Sequence, residues 1–126
     1  MSMGAGRLAP CPRTPNCVNS RETGRSAVAP LTFNDSAAAA LSRLKRIVSS
    51  LPRTRIVEST EGYLRAEVKS RICGFVDDVE FLIDPPAAEV HVRSASRVGF
   101  SDFGVNRARV EAIRARFASS EDRPSS

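Results

Sequence analysis

The 126-residue chain has no tryptophan, one tyrosine (Tyr63), one histidine (His91) and two lysines (Lys45 and Lys69). Each shortage excludes something. With one Tyr and six Phe, rings for stacking bases are scarce, so nucleic acid is an unlikely partner. A Ser or Cys nucleophile needs a base, and a single His leaves nucleophilic catalysis poorly supported. No run of 18 apolar residues exists, so no transmembrane segment is expected. Met1 to Arg7 holds no apolar stretch of the secretory kind, and Leu8-Ala9-Pro10-Cys11 lacks the apolar lead of a lipobox. The default compartment is therefore cytoplasmic. Two glycines, Gly99 and Gly104, precede the final helical stretch, but no strand-to-helix phosphate loop is formed.

The remaining composition is that of one globular domain: 41% apolar and 26% charged residues, enough for a core without staples. The net charge of +5 is unevenly spread. Residues 1–57 carry +7, residues 58–102 carry -4 and residues 103–126 carry +2. Seventeen of the nineteen basic residues are Arg. That fits either a high-GC coding bias or recognition of carboxylate and phosphate by planar guanidinium forks.

Residues 1–30 hold four of the eight prolines and no helical or strand period, which predicts an extended, loop-rich arm. A single α+β domain is expected over 31–117, and a disordered tail over 118–126. Within the domain, Asn34, Asp35 and Ser36 offer caps for a helix reaching Leu51, with Leu41, Leu44, Val48 and Leu51 on one stripe and Pro52 as its stop. The period then changes to two. Strands are expected over 54–59, 63–71, 75–83 and 89–96, with Cys73-Gly74 as a two-residue turn. Alternation puts Leu64, Ala66, Val68 and Ser70 on one face, joined by Phe75, Asp77, Val79, Phe81 and Ile83 and by Val90, Val92, Ser94 and Ser96. Arg65, Glu67, Lys69, Asp78, Glu80, His91 and Arg93 lie on the other. Pairing Ile72 with Phe75 sets Lys69 opposite Asp78 and Ser70 opposite Asp77. Pairing Asp84 with Glu89 sets Glu80 opposite Arg93 and Asp77 opposite Ser96. A second helix over 104–117, capped by Ser101 or Asp102, turns Val105, Val110, Ile113 and Phe117 inward. The expected fold is a two-layer α+β sandwich: a four-stranded antiparallel meander with two helices on one face, in the order α-β-β-β-β-α.

Asp77 is the residue out of place, a carboxylate on the inward face. It must be paired, hydrogen-bonded or protonated. Ser70, Ser96, Arg97, Ser101, Asp102, Asn106 and Arg107 gather near it in the expected register. Three uses stay open: a structural polar node, a small-anion pocket using Arg97, Arg107 and the helix start, or a catalytic carboxylate. Asp78 cannot join Asp77 as a carboxylate pair, because adjacent strand residues face opposite ways.

Cys11 and Cys17 lie six apart, which permits a disulfide or two reduced thiols. The spacing is not that of a zinc knuckle or redox site, and His91 alone could complete a nitrogen–sulfur set, so no metal and no cofactor are expected. Cys73 reads as a turn residue.

Three segments carry a resemblance: Cys11-Pro12-Arg13-Thr14-Pro15-Asn16-Cys17-Val18, Gly74-Phe75-Val76-Asp77-Asp78-Val79-Glu80-Phe81, and Arg93 to Arg109. Together they resemble the domain-of-unknown-function family 1499, over roughly residues 8–117. The resemblance implies which segments matter but no reaction. Some members of that family carry membrane or export segments, so the resemblance leaves an exported or organellar compartment open beside the cytoplasmic default. Asn19-Ser20 stands where the family pattern has two serines. The reading that follows is a small non-enzymatic module binding a protein or small anion at Asp77/Ser96/Arg97/Asn106. The rival is an enzyme of unknown class with Asp77 as acid or base and Arg97/Arg107 as anion clamp.

Overall fold

The computed structural model describes residues 8–70, 74–99 and 102–121. Two helices lie on one face of an antiparallel sheet, so the class is α+β as expected. The sheet has six strands rather than four. β1 (Cys17–Asn19) and β2 (Leu31–Thr32) come from the proline-rich arm and its end, and both pair with the last strand, β6 (Glu89–Ser96). The remaining strands are β3 (Thr54–Ser59), β4 (Tyr63–Lys69) and β5 (Val76–Asp84), giving the order β1-β6-β5-β4-β3. The additional strands cover the edge of β6 that would otherwise expose unpaired backbone. The opposite edge, β3, is blunted by an irregularity between Ile56 and Glu58 and by exposed Arg55.

The turn after β4 is longer than the two residues expected. Ser70 donates its N–H to the Phe75 carbonyl at 2.7 Å, and Lys69 stands opposite Val76. Asp77 thus faces Val68 and Asp78 faces Glu67, not Ser70 and Lys69. The slip is two residues, an even number, so every side chain keeps its expected face. Gly74 makes the turn with φ 68°, a conformation that costs a Cβ-bearing residue about 1–2 kcal/mol. Phe75 precedes β5 and is 55% exposed rather than inward. The β5–β6 register is the expected one, with Asp77 opposite Ser96 and Glu80 opposite Arg93.

α1 (Ala37–Ser49) starts where the Ser36 hydroxyl accepts from Ala39 N–H at 3.0 Å. Its Leu41, Leu44, Ile47 and Val48 meet Leu64, Phe81 and Val92 of the sheet, with Val110, Ile113 and Phe117 from α2 (Val105–Glu121). Burying each such side chain contributes about 1.5–3 kcal/mol. α2 runs four residues past the expected Phe117, through positions assigned to the disordered tail. Val105, placed inward by its spacing, is 49% exposed; Asn106 takes the inward position instead.

Two features were not foreseen. Arg43 is buried between the helices: it donates to both Asp35 oxygens at 2.9 Å and to the Phe117 carbonyl at 2.7 Å, with its guanidinium 4.1 Å from the Phe117 ring. The outer sheet face, rich in charged residues, is also partly covered by the N-terminal segment. Leu8 packs on Tyr63 and Leu82, Asn19 donates to the Ala9 carbonyl at 2.8 Å, and Arg93 donates to the Pro10 carbonyl at 3.2 Å. Beneath that cover Glu80 is buried, accepting from the Tyr63 hydroxyl at 2.5 Å and paired with Arg93 at 3.4 Å. A disulfide joins Cys11 to Cys17 and closes this segment onto β1.

Candidate functional site

Asp77 is inward and nearly buried, at 9% exposure. Its partner is a residue absent from the sequence-derived set. Arg109 Nη2 donates to Asp77 Oδ2 at 2.7 Å, while Nη1 donates to Asn106 Oδ1 at 2.7 Å and to Ser94 Oγ at 3.1 Å. Ser94 and Asn106 are fully buried and joined directly, Oγ to Oδ1, at 2.6 Å. Asn106 Nδ2 donates toward Asp102 Oδ2 at 2.7 Å, Ser96 Oγ at 3.0 Å and the Asn16 carbonyl at 3.1 Å. Asn16, also buried, returns a bond to the Gly99 carbonyl at 2.8 Å. This network ties together β5, β6, α2 and the segment before β1.

Asp102 anchors the start of α2, accepting from the N–H groups of Gly104 at 2.8 Å and Asn106 at 3.1 Å. Burial, the largest single influence, raises its pKa. The Asn106 amide and these backbone donors outweigh it and hold the carboxyl below its ordinary range.

The other expected members lie elsewhere. Arg97 is on the outer face, where Nε and Nη2 grip both Asp78 oxygens at 2.8 and 2.9 Å and Nη2 reaches Glu67 at 2.7 Å. Burial again is the largest influence on Asp78 and raises its pKa, but Arg97 and Arg65 together leave it lowered. Arg107 points to the arm, donating to the carbonyls of Ala27 at 2.8 Å and Arg25 at 2.7 Å. Ser70 Oγ accepts from Phe75 N–H in the β4–β5 connection, and Val68, not Ser70, stands opposite Asp77. Ser101 lies outside the described residues. The structure therefore brings Asp77, Ser96, Asp102 and Asn106 together, and places Ser70, Arg97 and Arg107 outside that group. Arg109, Ser94 and Asn16 were missed. Arg109 stands three positions after Asn106 on α2, and Ser94 shares the inward face with Ser96, so spacing alone pointed to both.

Two clefts lie nearby, and Asp77 lines neither. The smaller, of about 180 Å³, lies between Pro15, Arg25, Asp102 and Arg107. The larger, of about 650 Å³, opens on the outer face between Arg53, Thr54, Arg55, Glu67, Lys69 and Val76. Arg53 Nε bonds the Lys69 carbonyl at 3.2 Å, and Arg55 pairs with Glu67 at 3.2 Å. Arg97 and then Arg55 lower the Glu67 pKa, so this carboxylate stays charged.

A family model described as a protein of unknown function (DUF1499) matches residues 7–117. The chain belongs to this family. The match takes in β1 through Phe117 of α2, and so includes every member of the Asp77 network. No curated protein matches the chain. No helix among the described residues is long and apolar enough to cross a membrane.

Proposed function

We propose that this DUF1499 domain is a non-catalytic binding module for an anionic partner, an acidic protein segment or small oxyanion. In this reading Asp77, Ser96 and Asn106 form the frame, and the Arg53/Arg55/Lys69 cleft takes the ligand. One observation carries it: the larger cleft sets three cationic side chains against a single carboxylate, and that carboxylate, Glu67, is already bonded by Arg97 at 2.7 Å. Positive potential is left over for a ligand. Val76 gives the cleft an apolar wall, which favours a protein segment over a bare ion. Arg97 and Arg107 suit the clamp role less well: each commits two nitrogens, to carboxylates and to carbonyls respectively, whereas Arg53 bonds the Lys69 carbonyl through Nε and Arg55 bonds Glu67 through Nη2. An acid–base role for Asp77 is disfavoured by its tight pairing with Arg109 inside the network. The Cys11–Cys17 disulfide supports an oxidising compartment over the cytoplasmic default, since cytosolic thiol systems keep such pairs reduced.

The test is titration of a fluorescent Glu-rich peptide, and of inorganic phosphate, at low ionic strength. Saturable binding that weakens with salt and is lost in Arg55→Glu/Lys69→Glu is expected, because exposed charges are screened beyond about 8–10 Å. No saturable binding of either probe, or equal binding by the variant, refutes the proposal.

A further inference from the structure

We propose that Asp84, Glu89 and His91 form a binding site for one divalent cation of the zinc or manganese type, at the end of the β5–β6 hairpin. The register sets Asp84 directly opposite Glu89, and His91 lies two residues along β6 on the same outer face. One ligand atom from each lies within 4.8 Å of the others. Two carboxylates facing each other across a ladder repel. A Pro-Pro turn ending in Ala88 at φ 56° nevertheless fixes that hairpin end.

His91 supplies the second observation. Its side chain is nine-tenths buried and aimed at the carboxylates, with Nε2 3.5 Å from Asp84 Oδ2 and 3.8 Å from Glu89 Oε1. These separations exceed the 2.7–3.2 Å usual for an N–H···O bond. They are close to the edge of about 3.4 Å that a tetrahedral shell with zinc–nitrogen and zinc–oxygen bonds of about 2.1 Å requires. The other ring nitrogen, Nδ1, lies 3.1 Å from Ser20 Oγ, and Ser20 Oγ is itself held by Val92 N–H at 2.9 Å. When Nδ1–H donates to Ser20, the Nε2 lone pair faces the carboxylates, the orientation that metal-binding imidazoles take from their outer partner. Ser20 is thus a positioning residue. Two carboxylates and a neutral imidazole carry a charge of -2 and an O,O,N donor set, which suits zinc or manganese better than thiolate-seeking copper(I). Asp84 and Glu89 are each about one-third exposed, so an ion has access and room for water in a fourth position.

The test uses the full oxidised chain in a Cys73→Ser background, which removes the remaining thiol. Calorimetric titration with zinc, manganese and magnesium is joined by cobalt absorption spectra, which report coordination directly. One ion per chain and a melting temperature that rises with metal are expected. His91→Ala should abolish binding, Glu89→Gln should weaken it more than about tenfold, and Ser20→Ala should weaken it about 10–100-fold. Absence of saturable binding at low-millimolar metal overturns the proposal. So does undiminished affinity in Glu89→Gln, a partly exposed position whose substitution leaves the fold intact.

Discussion

Replacing Arg109 with methionine keeps the aliphatic stem but strands Asp77 in a nearly closed environment. The Asp77 and Arg109 side chains are 13% and 14% exposed, so little water replaces the lost partner. Removing one member of a buried ion pair typically costs about 3–5 kcal/mol. The residual exposure puts Arg109→Met at the low end, about 3 kcal/mol. Asp77→Asn keeps an acceptor for Arg109 Nη2, while Arg109 keeps its bonds to Asn106 and Ser94, so about 1–2 kcal/mol is expected. Asp77→Leu/Arg109→Met removes both charges together and should recover about 2 kcal/mol relative to the sum of its singles. Urea unfolding with the disulfide intact measures these three and the Asp77→Leu single that closes the cycle. With a urea slope of about 1.5 kcal/mol/M, the Arg109→Met midpoint falls by roughly 2 M. A loss under about 1 kcal/mol for Arg109→Met, or additivity within about 0.3 kcal/mol, would refute the argument that this pair locks α2 to the sheet.

Reduction of Cys11–Cys17, or Cys11→Ser/Cys17→Ser, should destabilise by about 2 kcal/mol through release of the short loop; identical melting with and without reductant contradicts this. Arg43→Met strips Asp35 of its guanidinium partner and the Phe117 carbonyl of one of its donors, and should cost about 2–3 kcal/mol, with faster amide exchange at the end of α2; unchanged exchange there would sink the interhelical role. Asp35, Asp78 and Asp102 all have lowered folded pKa values. The stability they contribute is therefore complete above the unfolded carboxyl pKa of about 4 and is lost as the pH falls through the lower folded values. A urea midpoint that drops from pH 5 to pH 2, less steeply in Asp102→Asn, is expected; a flat profile contradicts it.

The long elements were legible because they carry a period. Alternation in Tyr63–Lys69 and Val76–Asp84 placed Asp77 inward, and the two-residue slip left that placement intact. β1 and β2 are three and two residues long, too short for any period, and their pairing with β6 depends on contacts far along the chain. The arm was therefore legible only as irregular. Arg97 follows inward Ser96 and so belonged on the outer face; its proximity in sequence to the hydroxyl-rich segment obscured this. Arg43 and Arg109 carry charges that favour the surface, yet each buries its stem and spends its guanidinium on internal acceptors. Asp84, Glu89 and His91 become a cluster only once the hairpin register is fixed, although that register was itself readable.

The division between frame and binding surface is tested most directly by comparing two variants against the same acidic peptide, at a temperature where both are folded. Asp77→Asn is expected to bind within about twofold of the parent, while Arg55→Glu/Lys69→Glu, with the network intact, shows no saturable binding. Loss of binding in Asp77→Asn with retention in Arg55→Glu/Lys69→Glu would contradict it and return the site to the inner network.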